Sequence, residues 1–153
     1  MTPRAAGPTR PSWRQFAGIV AIFAGIGPLI GLVVISVVMT MRAFVEGKGA
    51  NSLSILPLFL MYGMLFAHLV GGAFAAAAGL AVAALARWQG RVEWWAAVLI
   101  GLASWLAWLY FGRGPSMLNP APADNIAFEL LATHVGAALV CWRLAVAWAG
   151  LRR

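Results

Sequence analysis

The sequence predicts an all-α integral membrane protein, folded as an antiparallel bundle of four transmembrane helices. Of its 153 residues, 63% are hydrophobic and only 10% are charged, whereas a soluble domain usually carries about 25% charged residues. The apolar residues are concentrated in four charge-poor runs, each long enough to cross the hydrocarbon core of a bilayer. This composition excludes a soluble globular domain.

The four runs are separated by connections that contain glycine, proline and charged residues. The first two connections, around Gly47 and Gly90, are short, which predicts antiparallel neighbours. The third is rich in proline and ends in Asp124 and Asn125, either of which can cap the helix that follows. The predicted spans cover residues 16–41, 55–86, 94–111 and 126–148.

The N-terminal segment has a different composition from the rest of the chain. Residues 1–15 contain prolines and glycine among polar neighbours, and such a segment cannot bury enough apolar surface to fold alone. We predict a flexible cytoplasmic arm over residues 1–15 and a four-helix transmembrane domain over residues 16–153. The first apolar run far exceeds the roughly 7–15 residues of a secretory signal core, so it should stay in the protein as a helix.

The charged residues predict the topology of the chain. The outer connections pair Arg42, Lys48 and Arg113 with an equal number of acids, whereas the inner side has many arginines and one acid, Glu93. The arginines assigned to the inner side are Arg4, Arg10, Arg14, Arg87, Arg91, Arg143, Arg152 and Arg153. The positive-inside rule therefore places both termini in the cytoplasm. The preference for arginine over lysine and the abundance of alanine are typical of a GC-rich bacterial genome, so we expect the spans to lie in a bacterial inner membrane. Because the arginines flank apolar spans, nucleic acid is not an expected partner.

The second span carries the most specific packing pattern in the sequence. Small residues recur at every fourth position, at Gly63, Ala67, Gly71, Ala75, Gly79 and Ala83. We call these six residues the small-residue stripe. The stripe should let another helix backbone approach closely, and we expect the neighbouring helix to be equally close at Gly71 and at Gly79. In the first span, Gly27 and Gly31 lie on either side of Pro28, which predicts a kink near Ala24 and a docking face for the stripe. A helix of a partner subunit is the alternative neighbour.

A second set of residues consists of polar and aromatic side chains in the outer halves of the spans. Residue counting places His68 and Glu129 near one level, with His134 and Trp108 about 6 Å deeper. Ionisable groups at such depth usually face the bundle interior or a wet cavity. We expect His68 and Glu129 to be hydrogen-bonded partners, and His134 to bond a hydroxyl or a carbonyl.

Two alternatives remain for these side chains. His68 and His134 could be the axial ligands of one b-type haem held between the second and fourth spans. Alternatively, the group could line a cavity for a quinone, a lipid headgroup or a proton path. The sequence has none of the spacings typical of zinc proteases, serine hydrolases, nucleotide hydrolases or thiol redox centres. We therefore predict no catalytic residue and no metal site.

These observations favour a small accessory, assembly or structural subunit of a larger membrane complex, such as a respiratory or photosynthetic one. Its expected partners are the lipid bilayer and other membrane subunits or further copies of itself, and no cofactor is expected. Trp105 and Trp108 share one face of the third span, which suits contact with a partner. The competing hypotheses are a haem- or quinone-binding electron-transfer subunit and a small transporter or channel subunit.

Overall fold

The computed structural model describes residues 10–47, 49–113 and 125–150, and these form four helices. The helices are α1 (Trp13–Val45), α2 (Gly49–Gln89), α3 (Trp94–Arg113) and α4 (Asn125–Ala149). All four are long and apolar enough to cross a membrane, as expected for a multi-pass membrane protein. The expectation of four apolar helices is confirmed. Residues 1–9 of the predicted arm, residues 114–124 with the capping candidate Asp124, and residues 151–153 lie outside the described part of the chain.

The helices extend beyond the apolar runs that predict them, because backbone hydrogen bonding continues into polar flanking residues. At the start of α1, Ser12 and Gln15 form a capping box. The Gln15 backbone N–H donates to the Ser12 hydroxyl, and the Ser12 backbone N–H donates to the Gln15 side chain at 2.7 Å. The helix therefore begins at Trp13, inside the segment predicted to be a flexible arm.

The helix α1 lies at the centre of the arrangement. It packs most extensively against α2 and also against α4, while α3 packs mainly against α4. The helices α2 and α3 meet over a shorter length, and α2 and α4 make no extensive contact. This arrangement leaves a space between α2 and the pair formed by α3 and α4.

The buried core lies towards the ends of α1 and α4 that carry Trp13 and Ala149. Ile19 and Phe23 of α1 pack there with Val82 of α2 and with Cys141 and Ala145 of α4. Small side chains at Ala83, Ala86 and Ala145 allow the backbones to lie close together. Cys141 is fully buried, and its thiol is free.

Polar contacts fasten this end of the bundle. The Gln15 side-chain amide donates to the carbonyl of Ala149 at 2.9 Å, which supplies a partner to the end of α4. Arg87 of α2 donates to the carbonyl of Pro11 at 2.9 Å and lies over the Trp13 ring. Residues 11–15 are thus held against both α2 and α4.

Candidate functional site

A cavity lies in the space between α2 and the α3–α4 pair, with α1 as its floor. Its volume is about 610 Å³. The lining is almost entirely apolar, and the polar side chains that reach it include Tyr62, Ser104, Thr133 and His134. Leu58, Tyr62 and Phe66 line it and are also exposed, so the cavity opens at the surface beside α2. Pockets of this size between helices commonly hold small ligands.

The small-residue stripe borders this cavity over much of its length. Gly63, Ala67, Gly71 and Ala75 line the cavity, whereas Gly79 and Ala83 are buried against α1. A Cβ atom added at Gly79 would lie 3.1 Å from the Cα of Val20, but one added at Gly71 would meet its nearest atom, the Cβ of Pro28, at 4.0 Å. The expectation that Gly71 is as tightly packed as Gly79 is therefore wrong. The packing along the stripe is uneven: a Cβ atom added at Gly63, nearer the N-terminus of α2, would again lie close to α1, 2.7 Å from a Leu32 methyl. The same spacing therefore gives close contacts at Gly63 and Gly79 and space between them at Gly71.

The glycines around Pro28 form the floor of the cavity. A Cβ atom at Gly27 would contact Ala75 of the stripe at 3.4 Å and the sulfur of Cys141 at 3.6 Å. One at Gly31 would contact Thr133 at 3.4 Å. These glycines allow α2 and α4 to approach the same segment of α1, and they leave little side-chain volume to fill the space between them.

The predicted hydrogen bond between His68 and Glu129 does not form. Glu129 of α4 is buried and accepts from the guanidinium of Arg42 on α1 at 3.1 Å. Arg42 also donates to Glu46 at 2.8 Å. A guanidinium makes a charge-assisted hydrogen bond with a carboxylate, which is stronger than one from a neutral imidazole. The second carboxylate oxygen of Glu129 is buried and has no hydrogen-bond partner among the described residues.

His68 contacts the backbone of α1 instead of a side chain of α4. Its Nε2 lies 3.1 Å from the carbonyl oxygen of Gly25, and its Nδ1 lies 3.0 Å from that of Met64. Since both neighbours are acceptors, a neutral imidazole can donate to only one of them. Gly25 is in the turn that precedes Pro28, and its lack of a side chain leaves the carbonyl oxygen accessible to His68.

Residue counting failed here because it assumed that every span starts at one level. His68 and Glu129 contact α1 at Gly25 and Arg42, which are about 25 Å apart along that helix. The expected cluster of His68, Glu129, His134 and Trp108 therefore does not form, and its members lie in different parts of the bundle.

His134 is the member of that group that lines the cavity. Its Nδ1 donates to the carbonyl of Leu130 at 2.7 Å, one turn earlier in α4. His68 does not line the cavity and both its nitrogens face carbonyl groups, so the structure does not present the two histidines to one haem iron. Trp108 is half-buried and lies outside the cavity lining.

Two important contacts were missed in the sequence. Arg42 falls in a predicted connection, yet an arginine opposite a glutamate in an apolar span is a strong pairing signal. Gly101 was not singled out, yet a Cβ atom there would lie 2.9 Å from the Cα of Val135. Its signal was available, because Ala97 and Gly101 form a small-residue pair at a spacing of four, and both are buried.

Comparison with protein-family models, with curated protein sequences and with solved structures finds no match to this chain.

Proposed function

We propose that this protein is a membrane-spanning subunit of a larger complex in a bacterial inner membrane, where it packs against a partner helix. In this proposal the four helices form an antiparallel bundle with both termini in the cytoplasm. The four apolar helices and the arginine-rich inner side support it. A reporter fused after Arg153 should then be cytoplasmic, and one inserted at Ser116 should be periplasmic.

The observation that carries the proposal is the exposure of His68. Gln15 bonds the end of α4, so the inner ends of α1 and α4 lie together. Gly25, which His68 contacts, is about 15 Å further along α1, which is half the thickness of a hydrocarbon core of about 30 Å. His68 is nevertheless exposed. Ionisable side chains at this depth are usually covered by protein or water, because contact with lipid is costly.

The surface around His68 has the composition of a transmembrane helix interface. Gly25 of α1 and Gly72 of α2 flank it, and a Cβ atom at either glycine would meet nothing within 4 Å. Small residues allow a partner backbone to approach, and a polar side chain can bond across the contact. We call His68, Gly25 and Gly72 the His68 face, and we propose that a helix of another subunit covers it in the membrane.

The test is the size of the complex that contains the tagged chain after mild detergent extraction from its native membrane. Gly72→Leu should reduce the fraction in the large complex, because the new side chain projects into the proposed partner. Ala103→Leu, a matched change at an exposed position on α3, should leave it unchanged. A complex that is insensitive to both Gly72→Leu and Gly25→Leu would refute this interface, and a chain that migrates alone would refute the subunit role. Co-isolation of two differently tagged copies identifies a homo-oligomer.

A further inference from the structure

The cavity lies on a different side of α2 from the His68 face. His68 does not line this cavity, and Gly72 is likewise outside its lining, whereas the adjacent Gly71 is part of it. The cavity and the His68 face are therefore separate surfaces of the same helix. An apolar space of about 610 Å³ between helices is large enough to hold a small ligand.

The one imidazole that lines the cavity is held in a defined tautomer. Because Nδ1 of His134 faces the carbonyl of Leu130 at 2.7 Å, that nitrogen carries the proton. In the neutral ring Nε2 is then a hydrogen-bond acceptor, and no group of the described residues bonds to it. Ser104 of α3 also lines the cavity, one turn from Gly101, where an added Cβ atom would lie 3.1 Å from the carbonyl oxygen of His134.

The position of His134 restricts the chemistry of the occupant. His134 lies about 22 Å from the inner end of α4, so it is about 8 Å inside the outer boundary of a hydrocarbon core of about 30 Å. A charged headgroup at that depth would be costly, and the lining supplies no formal charge to balance it. A neutral polar group on an apolar body suits the site.

We propose that the cavity binds a neutral, lipid-soluble molecule whose hydroxyl group donates a hydrogen bond to Nε2 of His134. The apolar body of this molecule lies along the aromatic side chains of α2, including Phe59, Phe66 and Phe74, and over the glycine floor of α1. It enters between the exposed residues Leu58 and Phe66. Lipid alcohols and reduced quinones both have this chemistry.

The experiment measures binding to the purified full-length chain in nanodiscs. The probes are farnesol and dioctanoylglycerol for lipid alcohols, and decylubiquinol for reduced quinones. Each has a counterpart without the donor: farnesyl methyl ether, the diacylglycerol methyl ether and decylubiquinone. We expect at least one donor to bind about tenfold more tightly than its counterpart, and the stronger donor identifies the source.

Variants of the chain test the position of the site. His134→Leu should abolish the preference for the donor, while His134→Gln, which retains an acceptor, should restore part of it. Gly71→Leu should weaken binding of every probe at least tenfold by filling the cavity, because its nearest neighbour leaves room for a side chain. Gly72→Leu is the matched control and should bind normally.

Three results would overturn the proposal: no probe binds, each donor binds no better than its counterpart, or Gly71→Leu binds normally. If His134→Leu does not fold, the comparison of donors with their counterparts on the wild-type chain still shows whether the cavity prefers a hydroxyl donor. The outcome is independent of the proposed subunit role, since Gly71→Leu should leave complex size unchanged and Gly72→Leu should leave binding unchanged.

Discussion

The guanidinium of Arg42 on α1 donates to the carboxylate of Glu129 on α4 across 3.1 Å, and so joins two helices far from their shared core. Glu129 is buried, whereas Glu46, the other carboxylate on Arg42, is exposed. Loss of Arg42 would therefore leave one buried and one exposed carboxylate without a partner. A buried carboxylate without a partner destabilises the fold, but an exposed one is solvated.

This difference gives the first prediction. Arg42→Ala should lower the thermal midpoint of the purified chain clearly, and Glu129→Gln should lower it less, because the amide carries no charge to bury. Glu46→Gln should have little effect. A double-mutant cycle should show stronger coupling of Arg42 to Glu129 than to Glu46. Equal coupling to both carboxylates would contradict the distinction.

The second prediction concerns the two ends of the small-residue stripe. Gly79→Leu should destabilise the chain by on the order of 1–3 kcal/mol, because its Cβ would already lie 2.7 Å from the Cβ of Phe23. Gly71→Leu should cost less than about 1 kcal/mol, since the new side chain enters the cavity. Unfolding in a mixed detergent series measures both. Equal costs would mean that α2 packs evenly along α1.

The third prediction concerns the contact between α3 and α4. Gly101→Ala places a methyl group 2.9 Å from the Cα of Val135 and 3.1 Å from the carbonyl oxygen of His134. Backbone atoms cannot move aside as a side chain can, so we expect a loss of about 1–3 kcal/mol in unfolding free energy. Gly136→Ala is the control, because its nearest neighbour, a Val34 methyl, is at 3.8 Å. A neutral Gly101→Ala would show that the helices are further apart.

The fourth prediction replaces the pairing expected from the sequence. Because His68 contacts Gly25 and Glu129 contacts Arg42, the two side chains share no partner. His68→Ala and Glu129→Gln should therefore be additive within about 0.5 kcal/mol in the free energy of unfolding. Thermal or detergent unfolding of the two single variants and the double variant checks this. A larger coupling would restore the His68–Glu129 pair.

The number and type of the helices follow from the sequence, because the length and hydrophobicity of a span are local properties. The start of α1 at Trp13 was also present in the sequence as a Ser-x-x-Gln pattern at Ser12 and Gln15, although the apolar run alone placed it at residue 16. The close contact at Gly79 can also be predicted from the sequence, since small residues at a spacing of four indicate a face that a neighbouring helix can approach.

The tertiary structure alone decided which helices meet and at what height. Gly71 and Gly79 belong to one sequence pattern, yet one lines a cavity and the other touches a backbone, because the facing surface of α1 lies further from α2 at Gly71 than at Gly79. Glu129 bonds Arg42 instead of His68 because the relative heights of the helices and the reach of a long side chain set the available partners. The distances between helices and their relative heights depend on how the helices cross. The crossing arises from all contacts together, and no short stretch of sequence encodes it.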